Sequence, residues 1–156
     1  MKVEGTFVFA EASADDVWNS LTCPESIAEC LPGCEKLEKI GEDAYLMNIR
    51  VGIGAIRSSY SGTIQLSDFT APSGYSLKVS GTGGGGFMEG FGTVQLLQNG
   101  PSVEVNYSGN VSIGGKIAAI GQRMVGGAAR LVIDQFFKAM AKRFTEKAEA
   151  RSPDKP

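Results

Sequence analysis

Histidine is absent from the 156 residues, and that absence removes Ser-His-Asp triads, Cys-His pairs, histidine metal sites and histidine general bases together. Cysteine is scarce. Cys23, Cys30 and Cys34 are the only three, an odd number that argues against the disulfide framework of small secreted domains. With no histidine beside them, they fall short of the four ligands of a structural zinc site, so no metal and no other cofactor is expected. This cysteine usage fits a reduced, cytoplasmic setting. No run of about 18 apolar residues is present to span a bilayer, and the opening Met1-Lys2-Val3-Glu4-Gly5 lacks the apolar stretch of a secretory signal. An excess of one charge is missing too. Fifteen Lys+Arg stand against seventeen Asp+Glu, with a pI near 5.2, so the basic footprint of a nucleic-acid binder is not there.

What is there reads as one soluble globular domain, with 42% apolar and 21% charged residues. Glycine is the outlier: 21 residues, seven of them within positions 81–92. The run Ser80-Gly81-Thr82-Gly83-Gly84-Gly85-Gly86-Phe87 reads as a reversal between two strands. It is not a phosphate loop, because Phe87-Met88 open a strand where Gly-Lys-Ser/Thr should open a helix; Gly114-Gly115-Lys116 fails likewise, with Ile117 in place of the hydroxyl residue.

Residues 2–10 alternate, with Val3, Gly5, Phe7 and Phe9 on one face, as in a half-buried strand. Ser13 can cap a short helix over 13–22, with Asp15 and Asp16 in its first turn. Pro24 opens a second, carrying Ile27, Ala28 and Leu31 and stopped at Pro32-Gly33. From 35 to 113 the period is two, and six strands follow one another across short turns, an antiparallel meander. Tyr45, Met47, Ile49 and Val51 share a face, as do Tyr60, Gly62, Ile64 and Leu66; Tyr75, Leu77 and Val79; and Val103, Val105, Tyr107 and Val111. After Gly114-Gly115 the period becomes about 3.6, predicting one helix to roughly residue 148, with Gly126-Gly127 marking a bend or a close approach. The domain is expected over 1–148, with a flexible tail over 149–156. The fold class is α+β: a seven-stranded curved antiparallel sheet wrapped around a long C-terminal helix, with two short helices after the first strand. Such a sheet and helix enclose a cavity, the usual seat of an apolar ligand.

Three short stretches stand out within this layout: Leu31-Pro32-Gly33-Cys34-Glu35, Val51-Gly52-Ile53-Gly54, and Gly114-Gly115-Lys116-Ile117-Ala118 followed by Gly121-Gln122-Arg123. Together with the order of elements they resemble the CoxG family, named for the G subunit of carbon monoxide dehydrogenase. That family is similar to the START-like, helix-grip superfamily, whose members hold lipids, sterols, quinones or other hydrophobic molecules between sheet and helix. The resemblance implies a non-catalytic accessory protein beside a molybdenum hydroxylase of the carbon monoxide dehydrogenase type, aiding its recruitment to the membrane or quinone pool. Some relatives carry a longer, anchoring C-terminus. With this sequence ending at Pro156, the expected membrane contact is peripheral and reversible, at the inner face.

The residues expected to line the cavity are Leu31, Met47, Ile49, Tyr60, Leu77, Phe87, Phe91, Met124, Ala128 and Leu131, the methionines suiting a pocket that adapts to its guest. Trp18, Phe7, Phe9, Tyr45 and Tyr107 complete the inward aromatics. No catalytic residue is expected, although Glu89 shares the parity of Phe87 and Phe91 and would be the one inward carboxylate of a cavity enzyme. A second alternative is a filled core whose charged faces recruit a partner and carry no ligand. Residues 25–43 hold six acidic and two basic groups and residues 130–151 six basic and three acidic, so the basic stretch is a candidate contact for anionic headgroups.

Overall fold

The alternation of residues 2–9 forms β1 (Lys2–Phe9) in a computed structural model, which describes residues 1–151, the side chains through Thr145. Val3 and Phe9 are buried, and Glu4, Thr6 and Val8 point to solvent. In α1 (Ala14–Leu21) the Ser13 hydroxyl accepts from the Asp16 N–H at 3.1 Å, and Val17, Trp18 and Leu21 face inward. This satisfies one of the orphan donors of a helix start. Helix α2 (Pro24–Cys30) has proline in its first turn and ends because Leu31, preceding Pro32, is extended (φ −75°, ψ 116°).

Six strands follow: β2 (Cys34–Gly41), β3 (Ala44–Ile53), β4 (Ile56–Thr70), β5 (Gly74–Gly83), β6 (Gly86–Asn99) and β7 (Ser102–Gly115). They form one antiparallel sheet with β1, in the order β1-β7-β6-β5-β4-β3-β2. β1 and β2 therefore stand at opposite edges, and α1 and α2 carry the chain between them.

The expected single C-terminal helix is divided into α3 (Lys116–Ile120) and α4 (Gln122–Arg151). The divider is Gly121, whose φ of +104° lies outside the helical range and suits glycine alone. Helix α4 runs uninterrupted through Gly126-Gly127; Gly126 is buried, and a Cβ there would stand 3.6 Å from Arg130 Nη1 and 3.9 Å from Met1 Sδ, ordinary contact, so the pair marks no backbone approach too close for a larger residue. A methyl group at Gly127 would meet nothing within 4 Å. Of the expected tail over 149–156, residues 152–156 lie outside the described residues.

Two apolar clusters form on the helix side of the sheet. The larger joins Phe9, Val17, Trp18, Leu21, Tyr45, Leu66, Tyr75, Val94, Leu96, Val103 and Val105 to Phe137 and Met140 of α4. Phe137 stacks on Phe7 at 5.3 Å between centroids and meets Phe9 edge-on at 6.0 Å, geometries that add to the burial itself. The smaller lies at the other end of the sheet, where Ile56, Ile117, Val125 and Ala128 pack with Met1, Val51, Ile53, Tyr60, Ile113 and Ile120.

Candidate ligand-binding groove

Strand pairing places concave-face residues in rows across the sheet. One row reads Tyr45, Ile64, Val79, Gly90, Val111; the next reads Leu37, Met47, Gly62, Gly81, Met88, Ile113. A third reads Leu66, Leu77, Gly92, Gly109, Val3. Their centre is glycine, with aliphatic and methionine side chains around it. Met47, Ile49, Val79, Met88 and Val111 are half-buried and belong to neither cluster. Helix α4 packs on the smaller cluster through Val125 and Ala128 of its first two turns and on the larger one through Ile133, Phe136, Phe137 and Met140 nearer its middle. The sheet centre between them, about 19 Å across over the four strand spacings from β3 to β7, is the candidate groove.

Gly62 is fixed by close approach, since a Cβ there would collide with the Ser80 carbonyl oxygen. Gly81 is not: a Cβ would find Ser61 O at 3.7 Å and Met88 Cγ at 3.8 Å, ordinary contact. A larger side chain at 81 would thus project into the groove.

Of the residues expected to line the cavity, Met47, Ile49, Tyr60 and Leu77 share this concave face. Leu31 is half-buried where α2 ends, and Ala128 is buried in the smaller cluster. Phe87 and Phe91 stand on the opposite, outer face, 49% and 58% exposed. The parity of β6 is continuous from Val94 and Leu96 back to Gly86, so Met88, Gly90 and Gly92 face the groove and Phe87, Glu89 and Phe91 do not. Glu89 is exposed with them, which removes the carboxylate of the cavity-enzyme alternative from the groove. Met124 and Leu131 are 54% and 42% exposed on α4. Sequence reasoning did not name Val79, Met88 and Val111 as candidates, although the unbroken alternation of their strands puts them on this face.

The groove's central rows carry no charged side chain, and burial raises two of the phenols on the concave face. Burial pushes Tyr107 up, with Arg130 opposing and Asp134 reinforcing. Burial alone pushes Tyr75, beneath Trp18 at 5.6 Å, far above the usual phenol range. The three thiols have separate partners. Cys23 donates to Glu25, Cys34 to the Lys36 carbonyl, and buried Cys30 accepts from Arg143 at 3.8 Å. Among the described residues no three Cys, Asp or Glu stand together as metal ligands.

Two depressions of about 310 and 420 Å³ lie on the outer face, not between sheet and helix. Thr6, Thr93, Gln95, Asn106 and Ser108 line the first and Asp68, Thr70, Ser73, Thr93 and Gln95 much of the second. The polar walls of the first do not suit a lipophile; the second adds Tyr75, Val94, Leu96 and Leu97 to its lining.

The family model for the G subunit of carbon monoxide dehydrogenase (CoxG) matches residues 5–145. The chain belongs to the CoxG family. The match spans both clusters and the groove between them. A crystal structure of a conserved protein from Geobacillus kaustophilus is 36% identical over 94% of this chain and 96% of that one, with a TM-score of 0.89. A START superfamily protein from Mycobacterium smegmatis is 12% identical, covering 93% of this chain and 97% of that one, with a TM-score of 0.72. A protein from Thermus thermophilus is 13% identical, with coverages of 97% and 100% and a TM-score of 0.68. The last two likenesses show the START-like fold of this CoxG chain. Comparison with curated protein sequences finds no match. Among the described residues, no helix is long and apolar enough to cross a membrane.

Proposed function

We propose that this CoxG chain carries one apolar small molecule of lipid or quinone type in the groove. It serves a molybdenum hydroxylase of the carbon monoxide dehydrogenase type as a non-catalytic accessory at the inner face of the membrane. The observation that carries the reading is the set of half-buried side chains, Met47, Ile49, Val79, Met88 and Val111, left outside both clusters over a floor of glycine. Protein interiors are packed as densely as organic crystals, so apolar walls without partners mark space for a guest. The lining is Met47, Ile49, Tyr60 and Leu77 together with Val79, Met88, Val111 and Ile113. The family name supports the partner, and the absence of charge from the groove's central rows supports an uncharged guest.

A guest bound at a hundred times its dissociation constant adds about 2.7 kcal/mol to stability, which at this chain length raises Tm by roughly 5–10 °C. Added quinone or diacylglycerol should produce that shift in the natural chain, and Gly81→Leu, which fills the groove, should abolish it. Equal shifts in both proteins would place the guest elsewhere. The reading of a recruitment module without a guest has the exposed outer Phe87 and Phe91 in its favour; it predicts no shift in either.

A further inference from the structure

Charge is distributed along the sheet axis. Segments 44–66 and 110–133 contain no Asp or Glu, yet carry Arg50, Arg57, Lys116, Arg123 and Arg130, all exposed. Three of these cations converge on the end that holds the smaller cluster. Arg57 stands beside the β3–β4 turn, its Nε donating to the Gly54 carbonyl at 3.0 Å. Lys116 opens α3, with its N–H bonded to the Gly85 carbonyl of the β5–β6 turn at 3.1 Å. Arg123 lies in the first turn of α4. Among the described residues none of the five has a carboxylate partner, the ion pairs being those of Lys2, Lys36, Lys138 and Arg143. The opposite end gathers Glu11, Asp15, Asp16, Glu42, Asp43 and Asp68 on α1 and the neighbouring turns. The basic stretch from residue 130 is partly neutralised within the protein, because Lys138 pairs with Asp134 at 2.9 Å and Arg143 with Glu29 at 3.2 Å.

We propose that the pole formed by Arg57, Lys116 and Arg123 docks on a bilayer bearing anionic phospholipid headgroups. Exposed Met124, Ala118, Ala119 and Ala55 lie among the cations. That mixture of cations and short apolar groups suits a headgroup layer. The pole also closes the groove: Ile53, Ile56, Ile113 and Ile117 beneath the cations continue into Ile49 and Met88. Docking here would set the groove's end against the membrane. The inference rests on the carrier reading for its purpose, but its test involves no guest.

The test is flotation of the natural chain with phosphatidylglycerol–phosphatidylcholine vesicles and with phosphatidylcholine alone. Binding is expected to the anionic vesicles only and should weaken as salt shortens the range of the field. The double variant Lys116→Glu/Arg123→Glu should bind at least about tenfold more weakly, while Lys39→Glu, at the acidic end, should match the natural chain. Thermal unfolding checks that the variants fold, and Arg57→Glu provides the same readout should the double variant fail to. No flotation with anionic vesicles, or equal weakening by Lys39→Glu, would overturn the docking pole. Co-purification of a lipophile decides the carrier reading separately.

Discussion

Single side chains set the character of the concave face. Phe9 is 1% exposed and touches Phe7, Phe137 and Phe144, so Phe9→Ala should cost about 3–5 kcal/mol in denaturant unfolding. Phe91→Ser, on the outer face, should lie within about 0.5 kcal/mol of the natural chain. A loss like that of Phe9 would mean that Phe91 is packed and the parity of β6 is wrong. Tyr75 gives the account a pH dependence. Its folded-state pKa is raised above 10 by burial, so its contribution is fully present below pH 10 and is lost as the phenol of the unfolded chain ionises above it. Alkaline unfolding should therefore steepen above about pH 10, and Tyr75→Phe should flatten that limb while leaving neutral-pH stability nearly unchanged. An unaltered limb in Tyr75→Phe would assign the alkaline loss to other groups.

At the scale of elements, the two glycine sites of the C-terminal helices behave oppositely. Gly121→Ala forces a Cβ into a left-handed conformation and should destabilise by about 1 kcal/mol or more. Gly127→Ala sits in regular helix with nothing within 4 Å of the new methyl, and should stabilise by about 0.5–1 kcal/mol. Equal signs from the two would contradict the break at 121. This pair also shows what the sequence makes legible. A double glycine inside a helical pattern is conspicuous, but glycine tolerates helical dihedrals; Gly121 lies in a stretch that stands out for its resemblance, yet a single glycine in a 3.6-residue period does not announce a positive φ. The strands divide in the same way. In β1, β3, β4, β5 and β7 most inward positions are aliphatic or aromatic, with glycine at 5, 62, 81 and 109, and no large side chain competes on the other parity strongly enough to hide the face. In β6 the inward positions 86, 88, 90 and 92 are Gly, Met, Gly and Gly, while the outward ones include Phe87 and Phe91. Side-chain size points the wrong way there, and only the parity carried back from Val94 and Leu96 corrects it.

Over the whole molecule, the order of elements and the antiparallel meander follow from local period and turn signals, because each hairpin joins neighbours in sequence. The β1–β7 pairing is a contact between distant segments that no local pattern encodes. It puts β1 and β2 at opposite edges, leaves α1 and α2 to bridge them, and sets where α4 can lie. Whether the concave face is filled or vacant depends on that placement; Met47, Ile49, Tyr60, Leu77, Val79 and Val111 were legible as inward residues from the alternation of their strands, while Met88 lies in the one strand whose outward phenylalanines hide its face. The central claim is that the space beneath α4 holds an apolar guest. Native mass spectrometry of the purified chain, with organic extraction of the same sample, tests it most directly. The account predicts a single lipophile at near one per chain, lost in Gly81→Leu; a natural chain at its bare mass, with an extract indistinguishable from that of the variant, would contradict it.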